Sequence, residues 1–295
     1  MPVWVLALVA GVALSGSSLA GQAICSGPHG SPVLAQGGAT LEPGTGWVQL
    51  SLYAQRSSEF FNTVGARQAF LSDGAVRTRS TFVTAAVGIT WGLELWAQAP
   101  VHDVRFADQT GAREAAGLGD PRVAVRISPE LITTRHIPVA LRAGVKFPGR
   151  TFPVDATLIP LGEGQRDWEV SLQSSAVITG SSVYVLGWAG HRWRERNAAI
   201  DRKPGNEWFG HAAVGASWAG VRAELGTEVL WGGTPRQVGV PVPASQRRVW
   251  QLQPTIGRQV GPGVLDVTGF VPVVGRSLPS GSGVSIGYRV GWGSS

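Results

Sequence analysis

Histidine is the residue type in this chain best suited to base catalysis or metal binding, and it occurs at His29, His102, His136, His191 and His211. A lipid hydrolase needs a serine nucleophile within roughly 3 Å of such a base. None of His102, His136, His191 and His211, which fall on or beside predicted strands, has a Ser two residues on, and His29 lies ahead of the first strand. His211 shares a face with Ser217, too far along the strand to meet it. No catalytic or cofactor-binding residue is assigned, and no pair of His, Asp or Glu shows metal-ligand spacing. His191, Arg192 and Trp193 read as the start of a solvated, arginine-rich loop. Gly117-Leu118-Gly119-Asp120 is no phosphate cradle, because no helical pattern follows whose N-terminus could hold an anion.

A different chemistry sits on the strands themselves. Charges alternate there with apolar residues, and a charge aimed into an interior must be paired or wetted. Following the chain up and down places Glu94 near Arg126 toward one end, and Arg122 and Lys146 near Asp167 and Glu169 toward the other. Arg222, Glu224 and Glu228 line one strand, and Asp266 on the next but one faces Arg289 on the last. Arg142 is expected to lack an acidic neighbour at its depth, which makes it the candidate to contact an anionic or phenolic group. Two readings stay open: the charges pair across strands as filling, or opposed basic and acidic walls orient a passing solute as charge rings do in pores.

The elements that must position these residues are strands. In 47–55, Val48, Leu50, Leu52 and Ala54 fall on one face and Gln49, Ser51 and Gln55 on the other, and a strand sends successive side chains to opposite sides. The same parity recurs in 78–91, 93–101, 120–128, 137–147 and 167–178, then in 208–218, 221–231, 249–259, 264–274 and 284–292. In 183–192 both faces are apolar, so parity there is ambiguous. The tally is about twelve, and an even number brings both chain ends to the same side.

Connector lengths sharpen the picture. Long polar stretches at 57–76, 102–119, 148–165, 193–206, 232–248 and 275–282 alternate with tighter turns near Trp91-Gly92, 128–136, 179–182, 218–220 and 260–263. Long outer loops and short periplasmic turns are the pattern of an outer-membrane barrel. Charged residues make up only 15% of the chain, against roughly 25% in soluble proteins, so something other than water must face much of its surface. Past the N-terminus no window reaches the roughly twenty apolar residues of a membrane helix. The fold expected is all-β, a transmembrane antiparallel up-and-down β-barrel of about twelve strands.

Tryptophans provide a ruler. Trp208 and Trp218 share the expected outer face, and at ~3.3 Å per residue and ~40° tilt they lie roughly 25 Å apart in height, the usual apolar band. Trp91 and Trp292 then fall near the periplasmic interface, Trp168 and Trp231 near the outer one, as an aromatic girdle. The last strand alternates Val284, Ile286, Tyr288, Val290 and Trp292 with small and polar residues, like the C-terminal signal that barrel-assembly machinery reads as an added strand.

The N-terminus reads as an export signal over 1–20, with an apolar run from Val3 to Leu14 and small residues ending at Ala20. Residues 21–46 form a periplasmic segment or plug, and 47–295 the barrel. Cys25 follows Ile24, too large for the residue before a lipid-attachment cysteine, and a lone exported thiol makes no internal disulfide. The net charge of +6 is dispersed, which points to anionic headgroups or solutes and away from nucleic acid.

Two segments carry a family resemblance. Gly117-Leu118-Gly119-Asp120 running into Arg122–Ile127, and Leu161-Gly162-Glu163-Gly164 followed by Asp167-Trp168-Glu169-Val170, resemble the strand-opening turns of the outer-membrane transporters grouped as the phenol meta-pathway degradation family. The resemblance implies an outer-membrane barrel that passes aromatic or other hydrophobic compounds. About twelve strands give a narrow lumen. A passive transporter or narrow channel for small hydrophobic or aromatic solutes is therefore expected, with membrane lipid, the assembly machinery and the solute as partners. Its rivals are a structural or surface-display barrel with a closed lumen, and a lipid hydrolase.

Overall fold

In the computed structural model of the chain the alternating segments close into a ring. Residues 39–133, 137–150, 152–153 and 158–293 are described; the export signal, Cys25, His29 and His136 fall outside them. The wall strands are β1 (Gly46–Ser57), β2 (Ala75–Thr90), β3 (Leu93–Asp108), β4 (Gly111–Leu118), β5 (Arg122–Ile127), β6 (Val139–Lys146) and β7 (Asp167–Val177). They continue as β8 (Val183–Arg194), β9 (Glu207–Trp218), β10 (Val221–Gly232), β11 (Arg248–Val260), β12 (Gly263–Arg276) and β13 (Gly283–Trp292). Every neighbour is antiparallel, and the circle closes where β1 pairs with β13, Leu50 opposite Tyr288.

β4 and β5 together make one wall strand, so the barrel has twelve. Both pair with β3, Val101 opposite Leu118 above and Leu95 opposite Val125 below. Between them the wall breaks at Gly119-Asp120-Pro121, where Pro121 has no N–H to offer a ladder. Residues after β6 close against the break: Phe147 N–H donates to Pro121 O at 2.9 Å, and Gly149 N–H to Asp120 Oδ1 at 3.1 Å.

One face of each strand is buried and the other is apolar and exposed. On β1 Gln49 and Ser51 are 4% and 6% exposed while Leu50 and Leu52 are 50% and 54%. Large exposed hydrophobics recur on every wall strand, including Val83, Leu95, Val123, Leu141, Leu172, Val185, Val214, Leu225, Ile256, Val267 and Ile286. A continuous apolar belt of this kind is tolerated in lipid and would aggregate in water. Among the described residues no helix is long and apolar enough to cross a membrane, so strands make the crossing.

The short turns are steep. Gly92, between β2 and β3, has φ +77°, and a Cβ there would collide with the backbone of Leu131, so both conformation and space demand glycine. At the other end the structure corrects the expected connectors. The stretch 102–119 is a raised hairpin of β3 and β4, and 57–76 carries a small sheet of Glu59–Phe61, Arg67–Ala69 and Leu278–Pro279. β8 runs to Arg194, with Arg192 and Arg194 turned inward and buried, so this segment is wall and not a solvated loop.

Candidate functional site: the barrel lumen

Inward-facing side chains fill the ring in layers. At the short-turn end Glu94 and Arg126 are ion-paired at 2.9 Å, both almost fully buried. The chain ahead of β1 reaches this pair: Leu41 N–H donates to Glu94 Oε2 at 3.2 Å, and Arg126 Nη2 to Ala39 O at 3.1 Å. Leu41 packs with the inward rings of Trp47 and Trp96 and with Ala86 and Ala124.

The middle layer is polar and aromatic. Tyr184 donates to Glu224 at 2.8 Å, and Arg222 stands 4.0 Å from the same carboxylate. Glu228 accepts from Gln251 at 3.1 Å and from Gln253. His211 stacks on Trp188 with centroids 4.1 Å apart, and Tyr53 meets Phe270 edge-on. Asp266 lies opposite Gly287, and Arg289 lies opposite Val264 and sits over the Trp47 ring at 5.7 Å, so the expected facing pair is staggered. Ser80 and His102 on β2 and β3 are hydrogen-bonded at 2.7 Å. That is nucleophile–base geometry, but both are buried and Gly119 packs on the imidazole edge.

Toward the long loops the charges converge. Lys146 Nζ lies 3.2 Å from Asp120, 2.6 Å from Glu163 and 2.7 Å from Asp167. Arg192 joins Glu169 (3.1 Å) to Glu207 (2.9 Å), Arg194 reaches Glu207 (3.0 Å) and Glu163, and Arg247 reaches Glu207. Burial alone would raise the Glu163 carboxyl, but Arg194, Lys146 and Arg247 outweigh it and hold the group well below the usual carboxylate range. Arg142 corrects an expectation: it bonds Glu169 at 2.5 Å and lies over the Trp96 ring at 4.4 Å, so it has an acidic partner. Arg122 stands opposite Lys146 in the ladder.

The two turn motifs meet in this layer. Asp120 accepts from Glu163 N–H at 2.8 Å, and a Cβ on Gly162 would collide with its Oδ1. The docked loop carries Ile159 and Leu161 into an apolar cluster with Val76 and Val104, flanked by Phe70, Phe106 and Ala115. A Cβ on Gly117 would touch Leu161 at 3.5 Å, so the cluster adjoins the broken part of the wall.

Sequence reading misses Asp120, Glu163, Arg192, Arg194, Glu207 and Arg247 as lumen residues. For Arg192 and Arg194 the available signal is the strand parity of β8, which an apolar pattern on both faces hides; Asp120, Glu163 and Arg247 lie outside the strands, where parity does not reach. On the outer surface Trp91, Trp168, Trp208, Trp218, Trp231 and Trp292 are all exposed, and Trp193 and Trp250 join them. Among the described residues no group of His, Cys, Asp and Glu could hold a metal ion.

No protein-family model matches the chain, and no curated protein matches it. Among solved structures, the COG4313 outer membrane channel from Pseudomonas putida F1 is similar with a TM-score of 0.71 and 14% identity, covering 86% of this chain and 98% of that one. The CymD monoaromatic hydrocarbon channel aligns at TM-score 0.48 and 10% identity, over 94% of this chain and 97% of its own. The chain thus shares the fold of the first of these.

Proposed function

We propose that this protein is a passive conduit in a bacterial outer membrane for small hydrophobic or aromatic compounds. The observation that carries this reading is the apolar cluster of Val76, Val104, Ile159 and Leu161 at the long-loop mouth, beside the charged layer and set against the break at Gly119-Asp120-Pro121. An apolar solute desolvates favourably there, at roughly 25 cal/mol per Å². The paired charges of the lumen, Glu94, Arg126, Arg142, Lys146, Asp167 and Glu169 among them, act as scaffold and leave little net field for an ion. The segment at 39–46 serves as a plug at the periplasmic end, and the exposed tryptophans seat the barrel between headgroup layers. The resemblance of the two turn motifs to the phenol meta-pathway family makes aromatic solutes the first class to test.

A second reading, a closed structural barrel, is favoured by the contacts of residues 39–41 with Glu94 and Arg126 and by the loop docked on Asp120. Uptake of a labelled phenol or alkylbenzene into proteoliposomes separates them. Leu161→Asp should slow uptake about tenfold or more, since an unpaired carboxylate in the cluster costs several kcal/mol. Absence of uptake by the unmodified protein, together with absence of single-channel steps, would overturn the conduit reading.

A further inference from the structure

Three arginines stand in line on the outside of the wall. Arg56 on β1 is the direct cross-strand partner of Arg77 on β2, and Arg77 is the direct partner of Arg105 on β3. All three are exposed and share the face of the apolar belt. Like charges directly opposite each other on antiparallel strands repel. Arg105 bonds Glu114 at 3.0 Å, and Asp103 stands on the same face directly opposite Arg79 and diagonal to Arg77, while Arg56 and Arg77 have no ion pair among the described residues.

Height on the wall gives the row its meaning. Leu52 and Ala54 on β1, Val83 on β2 and Val101 on β3 end the belt, and the arginines sit one to three outward positions beyond it, on the long-loop side. At the short-turn end the same faces carry Val48, Ile89 and Leu95 with no cation. The basic row therefore belongs to one leaflet, at the depth where headgroups begin. Arg248 and Arg276 form another directly opposed pair at that end, on β11 and β12.

We propose that the Arg56–Arg77–Arg105 row is a binding site for the phosphate groups of a phosphorylated glycolipid of the outer leaflet. A phosphate between guanidiniums replaces repulsion with bidentate, charge-assisted hydrogen bonds. Acyl chains attached to the same molecule lie along Leu52, Val83 and Val101 below, a contact that free phosphate cannot make. The long loops must face the glycolipid leaflet for this to hold.

The test uses the full-length protein in vesicles of neutral phospholipid doped with lipid A, its dephosphorylated form, or inorganic phosphate in the buffer. Retained lipid is counted by mass spectrometry after extraction into detergent. Wild type should retain lipid A about tenfold better than the dephosphorylated form for each phosphate–guanidinium hydrogen bond that dephosphorylation removes, and R56Q/R77Q/R105Q should abolish the difference. R77K, which keeps the charge and loses the bidentate fork, should reduce the difference. Equal retention by wild type and the triple variant would overturn the site, and displacement of lipid A by inorganic phosphate would overturn the lipid as its occupant. Should the triple variant fail to insert, equal retention of the two glycolipid forms by wild type is enough to reject the proposal.

Discussion

Lys146→Met tests the docking of the two turn motifs most directly. The ammonium is 3% exposed and is shared by Asp120, Glu163 and Asp167, and stripping one partner from a buried ion pair costs ~3–5 kcal/mol. The three acids are not left equally stranded. Asp120 keeps two backbone donors, at Gly149 and Glu163, and Glu163 keeps Arg194 and Arg247. Asp167 retains Arg194 Nε at 3.4 Å and a donor from Gln165. These survivors place the loss near the lower bound, about 3 kcal/mol. At ~2–4 °C per kcal/mol for chains approaching this size, the melting temperature followed by circular dichroism in detergent should fall by roughly 6–12 °C. K146M/D167N removes one stranded carboxylate and should recover about 1 kcal/mol. A single variant melting within about 2 °C of wild type would refute the buried-network argument.

Gly162→Ala should destabilise by about 1–3 kcal/mol through the clash with Asp120, read as faster proteolysis of the loop at 158–165 with the strand signal retained. The Glu163 carboxyl is depressed below its ordinary value of 4.5, so its stabilisation is complete above that pH and is lost as pH falls through the folded value. Loop proteolysis should accelerate below about pH 4.5 in wild type, and Glu163→Gln should flatten that dependence. Arg142→Ala leaves Glu169 with Arg192, so about 1.5–3 kcal/mol of stability should go while the reversal potential in bilayers stays unchanged; a shift toward cations would mean that Arg142 faces the solute path.

The ring is legible in the sequence because lipid outside and a polar interior impose a period of two on nearly every crossing, and Leu50 against Gln49 and Ser51 carries that contrast in three residues. What escapes is whatever depends on reach or on turns of the chain above the belt. Arg142 lies directly opposite Ser171 and Arg126, and Glu169 is its diagonal neighbour, opposite Gly144. A long guanidinium spans that diagonal, and comparison of equal depths overlooks it. Asp266 and Arg289 stand on the same kind of diagonal, offset by two residues in the ladder, and not directly opposite each other. The raised hairpin of β3 and β4 is read as a loop since its outward members become charged, as at Asp103 and Arg105, while the apolar Val104 and Phe106 turn inward once the strands leave the lipid. Arg192 and Arg194 are read as solvated for want of a polar face on β8, although the alternation continues through them.

The ladder between Gly46–Ser57 and Gly283–Trp292 has a consequence for biogenesis. The first and last strands of the wall are each other's neighbours, so no partial set of wall strands can pair both of its open edges. Sealing is the final event, and whatever ends up inside, including the stretch that meets Glu94 and Arg126, must already be in place when the seam shuts.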